Sequence, residues 1–463
     1  MTQCLTRRSL LAGAAATSLV ARLPNALAAS LMPPLGLTAT PGGARLQGAD
    51  GPETAIWGFN GSAPGPVIRV RQGEELVVAF SNKLPQASAV HWHGIRIDNR
   101  MDGVPGLTQP AVEPGGEFLY RFTPPDAGTF WYHPHERSFE QVPRGLTGAL
   151  IVEEREPPQA DQDLVLLIND WRLDSDGKLI ETFGNRHDQV HAGRLGNWIT
   201  VNGSPFAAFP VKRNERVRLR IINACSARIL TLLLEGAAPK LIALDGQPVG
   251  PTTNYGDALV LGPANRVDLM LDITAAPGSR LVLTETSGER KELAELSVSA
   301  APDKRPSPLI APISLTANPL REPDRHDALV VPLVMTGGAN NETDMSVMSG
   351  SGPAWQFNDM APMTMSASGE PLFRVPRGRT VHVRFENRTA FAHAMHIHGH
   401  HFRLLTRYNG PEPQPFWWDT LLVQSGETSV VGFVADNPGR WMMHCHMLDH
   451  QFSGMDSWFE VLT

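Results

Sequence analysis

The chain has 463 residues with 42% hydrophobic side chains, enough for two to four domains with apolar cores. Its formal charge of −7 argues against a nucleic-acid partner and repels neither small cations nor neutral organic molecules. Gly 42 and Pro 39, spread along the chain rather than clustered, suit many short strands joined by turns and argue against long helices.

Residues 1–28 read as an export signal. Arg7 and Arg8 precede an apolar run over 10–21, and Ala26-Leu27-Ala28 offers small residues where a signal peptidase would cut. The apolar run is about 12 residues, short of the roughly 20 needed to cross a bilayer, so no stable membrane insertion is expected once the signal is removed. Thr6-Arg7-Arg8-Ser9-Leu10-Leu11 resembles the twin-arginine type of bacterial signal, which implies a periplasmic or secreted protein. Cleavage removes three arginines and no acid, leaving 37 basic against 47 acidic side chains. Cys4 leaves with the signal. Cys225 and Cys445 remain and could pair in an oxidising compartment, but Cys445 is flanked by histidines, so Cys225 is read as a buried free thiol.

A threefold repeat follows. Val70–Asn82, Val211–Asn223 and Val375–Asn387 each place a turn residue (Gly73, Asn214, Gly378) nine positions before an asparagine (Asn82, Asn223, Asn387). The residues between tend to alternate apolar and polar, as in a half-buried strand entered by a tight turn. Three such units predict an all-β chain of three consecutive Greek-key β-sandwich domains. The expected limits are 35–156, 157–300 and 326–463, with 301–325 as a Pro-rich linker.

Ten of the 16 histidines fall in four places. His91-Trp92-His93-Gly94 and His133-Pro134-His135 lie in the first unit; His393-Ala394-Met395-His396-Ile397-His398 and His444-Cys445-His446, with His450 and Met455, lie in the last. A single His-x-His pair is weak evidence, since two hydrogen-bonded histidines on one strand look the same. Four pairs confined to two units are the nitrogen ligands expected of a copper or zinc protein. Alternate side chains of a strand face opposite ways, so His444 and His446 point to one side and Cys445 to the other, and three residues can serve two metal centres. A thiolate with two histidines and a weak thioether, here Cys445, His393, His450 and Met455, is the blue-copper combination.

These four segments, and most specifically His444-Cys445-His446-Met447-Leu448-Asp449-His450-Gln451-Phe452-Ser453-Gly454-Met455, resemble the signature of the multicopper oxidases, a family that includes laccases, copper-tolerance oxidases and ferroxidases. The resemblance covers essentially the whole chain after the signal. It implies three cupredoxin domains, the middle one without copper ligands, and four copper ions. His393, Cys445 and His450, with axial Met455, would hold the type 1 copper. His91 and His396 would hold the type 2 copper, while His93, His133 and His446 and then His135, His398 and His444 would each hold a type 3 copper. The implied reaction couples single-electron oxidations to reduction of O₂ to water, in a chain expected to act as a monomer.

Asp102 matches the acid that follows the first His-x-His-Gly motif in the family and is expected to supply protons, although an aspartate before Gly103 also suits a turn. Bacterial relatives often carry Glu where this chain has Gln451, and an amide cannot donate a proton at neutral pH. The electron donor is open between phenols or aromatic amines and Cu(I) or Fe(II). Met335, Met345, Met348, Met360, Met363 and Met365 could suit Cu(I) or be ordinary packing residues, and Tyr408–Trp418 could wall an aromatic-accepting cleft or form a packed corner. His187 and His191 could bind an extra ion or face solvent; His400 and His401 are expected to orient a neighbour or face solvent. A copper-binding structural protein and a copper nitrite reductase are the competing classes; the complete cluster motifs argue against the first, and copper content separates the second.

Overall fold

The computed structural model describes residues 33–254, 258–341, 344–350, 352–358, 360 and 369–463. The export-signal expectation, Met363 and Met365 fall outside those residues. Among the described residues strands dominate, helices are confined to single turns, and no helix is long and apolar enough to cross a membrane.

The strands form six sheets, two for each of three consecutive sandwiches of cupredoxin-like type. The first pairs two four-stranded sheets; each of the other two pairs a six-stranded with a five-stranded sheet. Each sandwich closes over its own apolar core, containing Phe80, Tyr120 and Leu150 in the first, Leu219, Leu269 and Leu283 in the second, and Phe385, Val431 and Trp441 in the third. No regular element lies between Val298 and Leu329. That stretch is tied down along its length: Arg216 donates to the Leu309 and Ala311 carbonyls, and Asn318 bonds both Ala127 and Gln247.

The repeat seen in sequence has a physical reason. Gly73, Asn214 and Gly378 all turn the chain at positive φ, between 64° and 87°, where glycine and asparagine are tolerated. Nine residues on, each asparagine is buried and organises the end of its strand. Asn82 donates to the Gln86 and Val112 carbonyls and accepts from Leu84 N; Asn223 does the same with Arg228, Leu261 and Cys225 N; Asn387 with Phe391, Val423 and Thr389 N.

One strand departs from the half-buried pattern. Leu76–Asn82 alternates as expected, but Arg216–Asn223 is buried on both faces. Its arginines point into a charge ladder rather than into water. Arg218 bonds Glu154 and Asp268, and Arg220 bonds Asp163 and Asp268, joining the first and middle sandwiches. Every charge in the ladder has a partner, which is what makes burial of such groups tolerable.

Candidate metal centres

The histidine motifs sit on strands paired in register. His91–His93 runs antiparallel to Gly128–His133, with His91 opposite His133, and His393–Ile397 runs antiparallel to Gly439–Cys445, with His396 opposite His444 and Met395 opposite Cys445. Pairing brings together histidines of one sandwich, and the contact between the first and last sandwiches brings together histidines more than 300 residues apart. His398 Nε2 stands 3.1 Å from His444 Nε2, and His446 Nε2 stands 3.3 Å from His133 Nε2. Each of the triples His93–His133–His446, His135–His398–His444 and His393–Cys445–His450 brings its donor atoms within 4.8 Å of one another. His91 completes the first cluster, in one triple with His396 and His398 and in another with His133 and His135. All of these side chains are buried.

Five of the cluster rings are aimed by a bond made at Nδ1. His91 Nδ1 donates to the Asp102 carbonyl (2.7 Å), His133 Nδ1 to the Pro134 carbonyl (3.0 Å), His396 Nδ1 to the Asp419 carbonyl (2.8 Å) and His444 Nδ1 to the Cys445 carbonyl (2.9 Å). His398 Nδ1 donates to the Asp102 carboxylate (2.9 Å). His93 is turned the other way: it donates from Nε2 to Asp419 Oδ1 (3.2 Å), which leaves Nδ1 free. Asp102 closes the 3₁₀ turn Asn99–Met101, its own N–H bonded to the Asn99 carbonyl, so it serves as turn residue and cluster partner at once. Gly103 after it is obligatory, because a Cβ there would lie 1.9 Å from the Val90 carbonyl oxygen.

The second centre is built the same way. His393 Nε2 donates to Thr389 Oγ1 (2.8 Å), whose own proton is committed to Asn387 and Phe391, and His450 Nε2 donates to the His191 carbonyl (2.6 Å). Both Nδ1 atoms then turn toward Cys445 Sγ, at 3.6 and 3.9 Å, and toward each other at 3.1 Å. Met455 is buried in the same cluster, its carbonyl accepting from Cys445 N and its N–H donating to His450 O.

This donor set fits metal ions on three counts. Protons held at the outer nitrogens leave lone pairs face to face at 3.1 Å in both the His398–His444 and the His393–His450 pairs, an arrangement that repels unless a cation lies between. His91 Nε2, His93 Nδ1, His135 Nε2 and His396 Nε2 are buried with no hydrogen-bond partner among the described residues. Burial also pushes His444 down to about 3 and His450 to about 4, and it pushes the Cys445 thiol up to about 12. Neutral imidazoles are ready ligands, whereas that thiol ionises at neutral pH only against a metal cation.

The structure decides between several of the alternatives. His400 and His401 do not face solvent; both are buried, His401 contacting Gln247 and the Asp245 carbonyl. Phe416 and Trp418 pack against the core of the middle sandwich, and the 408–418 segment does not line the cavity beside His450. Met335 is core packing. Cys225 is a buried free thiol, as expected, with Sγ 3.7 Å from the Ile168 carbonyl. Two features had no signal in the sequence: the His191 carbonyl on His450, which is backbone, and Asp419 beneath two cluster histidines.

Three models of the multicopper oxidase family match the chain, over residues 44–157, 162–300 and 338–463. The multicopper oxidase MmcO of Mycobacterium tuberculosis is 32% identical, over 90% of this chain and 85% of its own length. Among solved structures, a multi-copper oxidase from Pseudomonas thermotolerans superposes with a TM-score of 0.82 at 34% identity, covering 93% of this chain and 99% of that one. Lac15, from a marine microbial metagenome, superposes with a TM-score of 0.75 at 40% identity, covering 93% of this chain and all of its own. With the histidine and cysteine set complete and the three sandwiches in order, the chain belongs to the multicopper oxidase family.

Proposed function

We propose that the protein takes single electrons from phenolic or aromatic-amine reductants beside His450 and reduces O₂ to water at the histidine cluster. The observation that carries this reading is His444-Cys445-His446 at the end of strand Gly439–Cys445, where the sulfur belongs to one buried donor group and the two imidazoles to others. In this reading His393, Cys445, His450 and axial Met455 hold a type 1 copper. His91 and His396 hold the type 2 ion, and the two interdomain triples hold the type 3 pair. The ligand-bearing sandwiches span 35–156 and 326–463. Bound copper would supply the one-electron oxidation of the donor and the four-electron reduction of O₂ to two waters.

The chain's own residues do the rest. Asp102 is buried with its carboxylate 2.9 Å from His398 Nδ1 and 3.3 Å from His91 Nδ1, where it orients both rings and can pass protons to the cluster. At the opposite corner the Gln451 amide lies 3.4 Å from His135 Nδ1 and 3.1 Å from Ser138 Oγ, so that side orients a ring and cannot deliver a proton at neutral pH.

Electron entry is supported by a cavity of about 510 Å³ in the middle sandwich, lined by Arg172, Asn185, His187, Asp188, His191 and Gly193 among others. Its wall carries the His191 carbonyl that accepts from His450 Nε2. Asp188 is the one carboxylate among the lining residues. It is clamped by both guanidinium nitrogens of Arg172 at 2.9 Å, with Arg194 3.9 Å away. A carboxylate so neutralised favours a neutral or phenolate ring over a metal cation. One observation favours the second reading, oxidation of Cu(I) or Fe(II): His187 and His191 stack at 4.3 Å from one helical turn, and His191 Nε2 has no partner among the described residues.

Steady-state comparison of a simple phenol with Cu(I) on copper-loaded protein tests the proposal. Phenol turnover without free copper is the expected result. Phenol turnover that requires added copper would make the protein a metal oxidase.

A further inference from the structure

Among the described residues the middle sandwich supplies none of the clustered histidines, yet it reaches the cluster through one side chain. Arg266, at the start of strand Arg266–Asp272, is fully buried and grips Asp419 of the last sandwich with two bonds, Nη1 to Oδ1 at 2.8 Å and Nη2 to Oδ2 at 2.5 Å. Its Nε donates to the Thr129 carbonyl of the first sandwich (3.2 Å). Asp419 in turn accepts from His93 Nε2 on Oδ1 and from His396 Nδ1 on its backbone carbonyl, while Thr420 Oγ1, bonded to the same Oδ1 at 2.8 Å, sits 3.1 to 3.3 Å from both rings. All three sandwiches therefore meet at one carboxylate.

A second, independent observation points to the same contact. The glycine that closes His91-Trp92-His93-Gly94 has φ +86°, and a Cβ on it would stand 2.4 Å from Arg266 Nη2 and 2.5 Å from Asp419 Oδ2. The glycine makes room for the ion pair directly behind His93. Asp245, with its oxygens on Asn265, Arg266 N, Asp419 N and Thr420 N, fixes the same corner from the middle sandwich.

We propose that Arg266 is a positioning residue for the metal cluster: by holding Asp419, it fixes His93 as the Nε2–H tautomer and turns Nδ1 inward, opposite to His91, His133, His396, His398 and His444. A bidentate guanidinium has the geometry for this task, since it locks both carboxylate oxygens and holds Oδ1 facing the ring. Rotation of Asp419 would free His93 to present either nitrogen. The inference rests on His93 being a metal ligand, but its first test does not.

Nitrogen NMR of the copper-free, ¹⁵N-histidine-labelled full chain reads the tautomer directly. His93 is expected with its proton on Nε2 and those five cluster histidines with theirs on Nδ1; His93 protonated on Nδ1 would overturn the proposal. The second test is substitution. Arg266→Met should weaken cluster copper at least about 10-fold while the blue thiolate absorption from the Cys445 centre stays at parent intensity, with Arg266→Lys intermediate. A folded Arg266→Met protein with parent cluster affinity and unchanged spectra of the coupled copper pair would contradict it. Should Arg266→Met fail to fold, the tautomer measurement on the unaltered chain decides. If the tautomer is as expected but cluster copper is absent even from the parent protein, the positioning stands and the oxidase reading falls.

Discussion

Replacing Cys445 with serine removes the intense blue absorption and lowers reductant turnover at least about 10³-fold, while the histidine cluster keeps its copper. The sulfur is the soft donor on which the His393 and His450 Nδ1 atoms converge, and a serine hydroxyl at that position cannot supply a thiolate. His444 and His446 leave the strand on the other face, so their centre is untouched. The cost to folding is that of burying one hydroxyl, about 1–3 kcal/mol, which a chain of this size tolerates. Absorption spectra, copper content and turnover of Cys445→Ser read the three effects separately. Persistence of colour and turnover would remove Cys445 from the electron path.

Asp102→Ala lowers turnover about 10- to 100-fold with the blue absorption unchanged. The substitution deletes the acceptor of His398 Nδ1 and one of two oxygens near His91 Nδ1, whose stronger bond is to the Asp102 backbone carbonyl and survives. Asp102→Asn separates orientation from proton supply. An asparagine retains an acceptor for His398 but carries no transferable proton, so its turnover is expected within roughly 3-fold of the alanine variant. Recovery of parent turnover in Asp102→Asn would limit this residue to positioning.

The candidate ligand clusters were legible because they rest on local rules. A period of two on a strand sorts His444 and His446 from Cys445 before any tertiary structure is known, and register then does the remaining work by placing His396 opposite His444. The repeat was legible for a similar reason: the asparagine serves its own sandwich, bonding carbonyls within about 40 residues. What failed to show in sequence depends on distant partners. Arg216, Arg218 and Arg220 have the spacing of a solvated strand face, and only acids from elsewhere in the chain, Glu154 and Asp268 among them, turn that face into a buried ladder.

The site carries the same lesson. Arg266 and Asp419 are separated by 153 residues, and neither lies in a recognisable motif. The glycine of His91-Trp92-His93-Gly94 is visible in sequence, but its reason, the ion pair behind it, is not. By composition alone the aromatic-rich segment before Trp418 could wall a donor cleft or form a packed corner. Phe416 and Trp418 cover the middle core, and Arg403 stacks on Trp417. The cavity wall beside His450 uses a peptide carbonyl at His191, where any residue type would do.

Two buried centres joined by His444-Cys445-His446 are proposed to act together on O₂. Counting donor molecules oxidised per O₂ consumed by the copper-loaded protein tests this most directly. About four one-electron donors per O₂, with no accumulation of hydrogen peroxide, is the predicted result. About two per O₂, with peroxide released, would contradict it.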